Sequence, residues 1–314
     1  MRVGYFLSTE EYSPDQLIAQ ARAAEKAGFS GLWISDHFHP WNDEQGQSGF
    51  VWSLIGAISQ VCDLPITTAV TCPTVRIHPA IIAQAAATSA VLTKGRFILG
   101  VGSGEALNEH ILGDAWPAAS TRQEMLEEAI ELIRELWRGE SLTTSGRHYQ
   151  VDRARIYTLP DEPPPIYVSA FGEHSLDLAC RVADGLITTQ PDADSVRRFK
   201  DATAGKPCQA GFKVAYAPTR DEGVAHAHRL WANSGIPGEL AQELPSPQHF
   251  EQASQLVSED DTRQAVVAGN DASAHMDKIK EYADAGFDEL FVSNMGPHAL
   301  DMIEFYSREI IPAL

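Results

Sequence analysis

Eight short apolar runs recur along this chain, and between them lie segments whose apolar residues return every three to four positions. The runs are Val3–Phe6, Leu32–Ser35, Ile66–Val70, Phe97–Val101, Ile166–Ala170, Leu186–Thr189, Gly211–Ala217 and Leu290–Ser293. Continuous apolar character suits strands covered on both faces, and the intervening period suits amphipathic helices. Ser13 followed by Pro14 reads as a helix start and Gly28 as its stop. Thr121–Trp137 carries Met125, Leu126, Ala129, Leu132, Ile133 and Leu136 along one helical face. Such alternation predicts a (β/α)8 barrel over a doubly wound sheet, as one domain across residues 1–314. Leu142–Val151 reads as a peripheral hairpin. Residues 234–262, rich in Pro, Gly and Gln, break the alternation and read as an excursion on one face, a candidate lid.

Charge and cysteine content exclude several classes. The chain has 43 acidic residues against 24 Lys and Arg, a net charge of -19, and no basic run. A nucleic acid or an anionic membrane surface is therefore not the expected partner. Cys62, Cys72, Cys180 and Cys208 show no C-x-x-C spacing, which argues against zinc ribbons and a disulfide scaffold. Met1–Phe6 reads as a strand rather than a signal peptide, and no apolar run approaches the roughly 20 residues a membrane span needs. A cytoplasmic protein is expected.

Barrel enzymes keep their chemistry at the C-terminal ends of the strands. Here those ends carry Glu10 and Glu11, then Asp36, His37 and Trp41, then Cys72, then Gly102-Ser103-Gly104-Glu105 with Asn108. Phe171-Gly172, Thr188-Thr189-Gln190 and Asn294-Met295 follow later strands. His37 reads as a general base oriented by Asp36, or equally as a strand-end histidine bonded to a backbone carbonyl. Asp36, His37 and His39 could imitate a metal cluster, but no second ligand group with suitable spacing accompanies them, so no metal is expected. The small residues at 102–104 let a planar ligand lie against the backbone. Glu105 reads as a proton donor whose pKa is raised by burial, or as a solvated helix-start glutamate. The helix starting near Ser175 offers N–H groups after Phe171-Gly172 that could hold a phosphate. Trp33, Trp52 and Trp137 read as core.

Three runs together resemble the F420-dependent glucose-6-phosphate dehydrogenase group of the luciferase-like flavin and deazaflavin oxidoreductases. They are Ser35-Asp36-His37-Phe38-His39-Pro40-Trp41, Pro73-Thr74-Val75-Arg76-Ile77-His78-Pro79 and Gly100-Val101-Gly102-Ser103-Gly104-Glu105-Ala106-Leu107-Asn108-Glu109. The resemblance implies a barrel, a homodimer and coenzyme F420. It implies that His37 and Trp41 flank the hydride-transfer site and that Glu105 is the acid near the deazaflavin. On the coenzyme side it implies Asp36, a non-prolyl cis bulge at Ala69-Val70, Cys72 in place of a threonine, Ser103, Gly104, Asn108, Ser169, Ala170, Phe171 in place of a glycine, and Gly172. Glu10, Thr189 and Arg263 fall on the substrate side.

Asp192 and Arg263 match the two phosphate-binding lysines of the sugar-phosphate specialists. An aspartate there would repel a sugar phosphate by roughly 4 kcal/mol at about 4 Å and an intermediate dielectric. The expected reaction is reversible hydride transfer between an alcohol or hydroxy substrate and F420. An FMN-dependent monooxygenase and a non-catalytic F420 carrier are the alternatives.

Overall fold

A computed structural model describes all residues, Met1–Leu314. Its strands are β1 (Arg2–Leu7), β2 (Leu32–Ile34), β3 (Ile66–Thr68), β4 (Phe97–Val101), β5 (Leu142–Ser145), β6 (Gln150–Ala154), β7 (Ile166–Ser169), β8 (Gly185–Thr188), β9 (Cys208–Ala215), β10 (Val267–Ala268) and β11 (Glu289–Asn294). Strands pair in the order β9-β11-β1-β2-β3-β4-β7-β8, and β8 pairs again with β9, closing eight parallel strands into a barrel. β5 and β6 form the separate antiparallel hairpin.

Local sequence chemistry sets the helices between these strands. Ser13 caps the helix Pro14–Ala27 in a capping box with Gln16, and Gly28 closes it in the left-handed region at φ 91°. The apolar faces of the helices bury against the outside of the strands in one core of 59 residues. Trp137 belongs to it, its Nε1–H donating to the Ala83 carbonyl, and Trp52 packs at its margin.

Inside the barrel, Phe6, Trp33, Tyr167, Ile187 and Phe291 form a second cluster that fills the lumen. Trp33 stacks on Phe291 at 4.8 Å and donates to Gln209 Oε1 at 2.8 Å. Glycine makes room for this plug: a Cβ on Gly211 would stand 2.2 Å from the Trp33 ring. The plug leaves the strand C-termini as the open end.

Three features differ from the sequence expectation. The β3 ladder stops at Thr68: Ala69 N–H still donates to Ile34 O, the chain turns out at Val70, and it meets β4 again at Thr71, whose N–H donates to Gly100 O. β9 begins at Cys208, three residues before the expected Gly211, since Cys208 N–H is held by Asp288 Oδ2. The 234–262 excursion is helical, with Leu240–Glu243, Pro247–Ser254 and Glu259–Ala265, followed by the unanticipated β10 on β9. No helix is long and apolar enough to cross a membrane.

Candidate active site

The turn after β1 and the end of β2 are stitched together by Ser35. Its hydroxyl donates to Glu10 Oε2 at 2.5 Å and receives the Thr9 N–H at 2.9 Å. This brings buried Glu10 beside His37, whose Nε2 stands 3.5 Å from Glu10 Oε1 and 3.6 Å from Glu105 Oε1. The Trp41 ring packs on the imidazole with centroids 5.0 Å apart, and its Nε1–H points to Glu10 Oε1 at 3.4 Å.

Asn108 fixes the far side. Its Oδ1 accepts from the Phe38 and His39 N–H groups, so its amide nitrogen faces Glu105 Oε1 and His37 Nδ1, each at 3.2 Å. The His39 carbonyl also lies 3.1 Å from His37 Nδ1. Nδ1 serves one of these partners at a time. With Nδ1–H given to the His39 carbonyl, the Asn108 amide is left to Glu105, and Nε2, which faces the two carboxyls, is the nitrogen that exchanges a proton. His39 itself is tied through Nδ1 to Leu107 O and takes no part in the group.

The two carboxyls differ in character. Burial raises the Glu10 carboxyl, but His37, Lys213 and the Ser35 hydroxyl outweigh it and hold it below its ordinary value. Enclosure raises the Glu105 carboxyl, opposed by His37 and reinforced by Glu10, although 26% of its side chain is open to the lumen. The two shifts run in opposite directions, favouring the ionised form of Glu10 and the protonated form of Glu105 relative to free carboxyls.

Three further groups, Lys213, Glu11 and Arg76, complete the site, and sequence reasoning gives none of them a role. Lys213, on β9, donates to Ser8 Oγ at 2.8 Å and lies over the Trp231 ring at 3.6 Å. It shares the strand parity of lumen-facing Gly211, which is the signal that could have found it. Glu11 accepts from Trp231 Nε1 and from Gly296 N, both at 2.6 Å, and burial still raises its carboxyl. Arg76 bonds Asp36 Oδ1 at 2.9 Å and Glu109 Oε1 at 3.4 Å, all three groups being shut off from water.

Asp36 is therefore a buried counter-ion, its second oxygen taken by Thr71 at 2.8 Å. It does not orient His37, contrary to one sequence expectation.

The other expected residues divide. The Ala69-Val70 peptide is cis, at the lumen margin. Cys72 Sγ bonds Thr74 Oγ1 at 2.9 Å, and burial holds its thiol well above the ordinary value. Ser103, Gly104 and Ser169 are half-buried at the mouth and Ala170 is buried, while Phe171, Gly172 and Thr189 are exposed on the rim. The N–H groups of Phe171 and Gly172 are not free donors, since Ser175 Oγ accepts both at 3.2 Å.

Arg263 is not brought to this group. Its guanidinium pairs with Asp221 and Glu259 on the flank of the barrel. Asp192 is the cap of the helix Ala193–Ala202, accepting from Asp194 N and Ser195 N. The helix Pro247–Ser254 does reach the site: Phe250 packs edge-on against Trp41 at 5.0 Å, and Glu251 accepts the Asp43 N–H.

Comparison with known proteins matches residues 1–289 to the luciferase-like monooxygenase family. An F420-dependent glucose-6-phosphate dehydrogenase of Nakamurella multipartita is 34% identical, over 100% of this chain and 96% of its own. An F420-dependent hydroxymycolic acid dehydrogenase of Mycobacterium tuberculosis is also 34% identical, over 99% and 88%. Among solved structures, an F420-dependent secondary alcohol dehydrogenase in complex with an F420–acetone adduct superposes with a TM-score of 0.92 at 30% identity, over 99% of this chain and 98% of that one.

Proposed function

We propose that this chain, which belongs to the luciferase-like monooxygenase family, is an F420-dependent dehydrogenase that oxidises a neutral secondary alcohol. The observation that carries this reading is His37 Nε2 set 3.5 and 3.6 Å from two carboxyls of opposite character at the open end of the barrel.

The strand ends suit a planar tricyclic ring. Ala69 and Val70, half-buried and packed on the lumen plug, give an apolar ledge. Ser103, Gly104, Asn108, Ser169 and Ala170 border it with small or amide-bearing groups. Gly172, where a Cβ would meet nothing within 4 Å, leaves room on the rim for a phosphate tail beside Phe171. Bound there, F420 supplies a carbon hydride acceptor that reacts little with oxygen.

His37 Nε2 takes the proton of the substrate hydroxyl, and ionised Glu10 stabilises the imidazolium that results. Glu105, whose carboxyl is raised by enclosure, stands on the other side of Nε2 from Glu10 as the second group that can exchange a proton there. Trp41, backed by Phe250, walls the pocket and excludes water. Thr189 lines the rim on the substrate side.

A neutral substrate is favoured by the local charge. Three carboxyls, Glu10, Glu11 and Glu105, share the pocket with one lysine, Lys213, and Arg263 is already ion-paired elsewhere. A dianionic phosphate would enter a pocket with no surplus positive charge. The test is kcat/KM for simple secondary alcohols against glucose 6-phosphate, followed by loss of oxidised F420 absorbance. A marked preference for the phosphate ester would overturn the substrate assignment.

The same reading takes residues 1–314 as one barrel domain, with 234–262 as a cover over Trp41, working as a cytoplasmic homodimer. It rests on the family resemblance and is checked by light scattering on the purified chain.

A further inference from the structure

A second cluster of ligating side chains lies outside the His37 group. Glu222 and His226 stand one turn apart on the helix Arg220–Trp231, and His298 follows β11, just ahead of the helix Ala299–Phe305. One ligand atom from each lies within 4.8 Å of the others. His298 Nε2 is 3.5 Å from Glu222 Oε1, and the two imidazole centroids are 5.7 Å apart.

Two details separate this cluster from a chance meeting of surface side chains. His298 Nδ1 is bonded to Asp301 Oδ2 at 2.8 Å, the carboxylate–histidine support that fixes a ligating imidazole with its other nitrogen outward. His226 Nδ1 is buried with no hydrogen-bond partner, an uncommon condition for an imidazole.

We propose that Glu222, His226 and His298 bind one transition-metal dication, Zn²⁺ by preference, clipping the helix Arg220–Trp231 to the segment that leaves β11. Two imidazole nitrogens and one carboxylate oxygen suit a borderline-soft ion. A fourth, open position is left for water, whereas Mg²⁺ and Ca²⁺ prefer oxygen-only sets. The sequence gives little sign of it: Glu222 and His226 have helical spacing, but His298 comes 72 positions after His226 and only the barrel closure brings it near.

The metal would brace one wall of the active site. The same two elements grip Glu11, through Trp231 Nε1 and Gly296 N.

The test is a zinc titration of the tag-free, chelator-treated full chain against a chromophoric competitor, with thermal unfolding in parallel. One Zn²⁺ per chain is expected, with a raised melting temperature. His226→Ala and His298→Ala should each weaken uptake at least about tenfold. Non-saturating uptake, or uptake unchanged in both variants, overturns the proposal. Should the variants fold poorly, the Co²⁺ spectrum of the unmodified chain decides. Intense visible bands of a four-coordinate nitrogen–oxygen site support the clip, and the faint bands of hydrated cobalt refute it.

Discussion

At the residue scale, His37 is flanked by Glu10, held below the ordinary carboxylate range, and Glu105, raised by enclosure. Replacing His37 with Ala should lower kcat by about two to four orders of magnitude, the usual worth of a general base, with coenzyme still bound in an equilibrium titration. Lys213→Met removes one of the charges that keep Glu10 ionised. Glu10 then titrates higher, and the acidic limb of the kcat/KM profile should move to higher pH. Glu109 gives a stability test. Burial, opposed by Arg76, pushes its carboxyl up to about 7. The folded state then binds the Glu109 proton more tightly than the unfolded chain, so this group's contribution to stability falls as the pH rises from its ordinary value through about 7. Glu109→Gln should flatten the melting temperature against pH over that window, and an unaltered slope would contradict the assignment. His37, Trp41, Glu10 and Glu105 were legible in the sequence because strand ends collect barrel chemistry. The Arg76 pairing with Asp36 was not, because it joins loops 40 positions apart, and Lys213 is marked in the sequence only by its strand parity with Gly211.

At the scale of elements, the alternation and the helix caps made all eight barrel strands legible, with boundary errors only where tertiary contacts decide. The expected Gly211–Ala217 lies late on β9, Cys208–Ala215, because the Asp288 carboxylate holds the strand's first residue, which local sequence does not report. The helices between Leu240 and Ala265 were hidden by Pro, Gly and Gln, and they are held by contacts such as Phe250 on Trp41 and Arg122 to Glu243. Phe250→Ala should cost about 3 kcal/mol or more of stability and raise KM by loosening Trp41. Denaturant unfolding and steady-state kinetics measure the two effects. Strand packing offers a sharper case at Gly100, where a Cβ would lie 1.9 Å from the Thr68 carbonyl oxygen. Gly100→Ala must part β3 from β4, and a loss of about 2 kcal/mol or more is expected in urea unfolding.

At the scale of the whole molecule, a closed barrel plugged by Trp33 and its neighbours leaves one open end, and the acid–imidazole group sits there. The net charge of -19 fits a small-molecule enzyme better than a polyanion binder. The substrate was the part least legible in the sequence. Asp192 already argues against a sugar phosphate in the sequence, but the structure makes it a helix cap and pairs Arg263 on the flank, so the argument for a neutral alcohol passes to the charge of the pocket itself. The most direct test of the central claim is a single-turnover reaction of the purified chain with oxidised F420 and a secondary alcohol, run beside His37→Ala. Bleaching of F420 in step with ketone formation is predicted, slowed at least about a hundredfold in the variant. Tight FMN binding with oxygen uptake and no F420 bleaching, or equal rates in the two proteins, would contradict it.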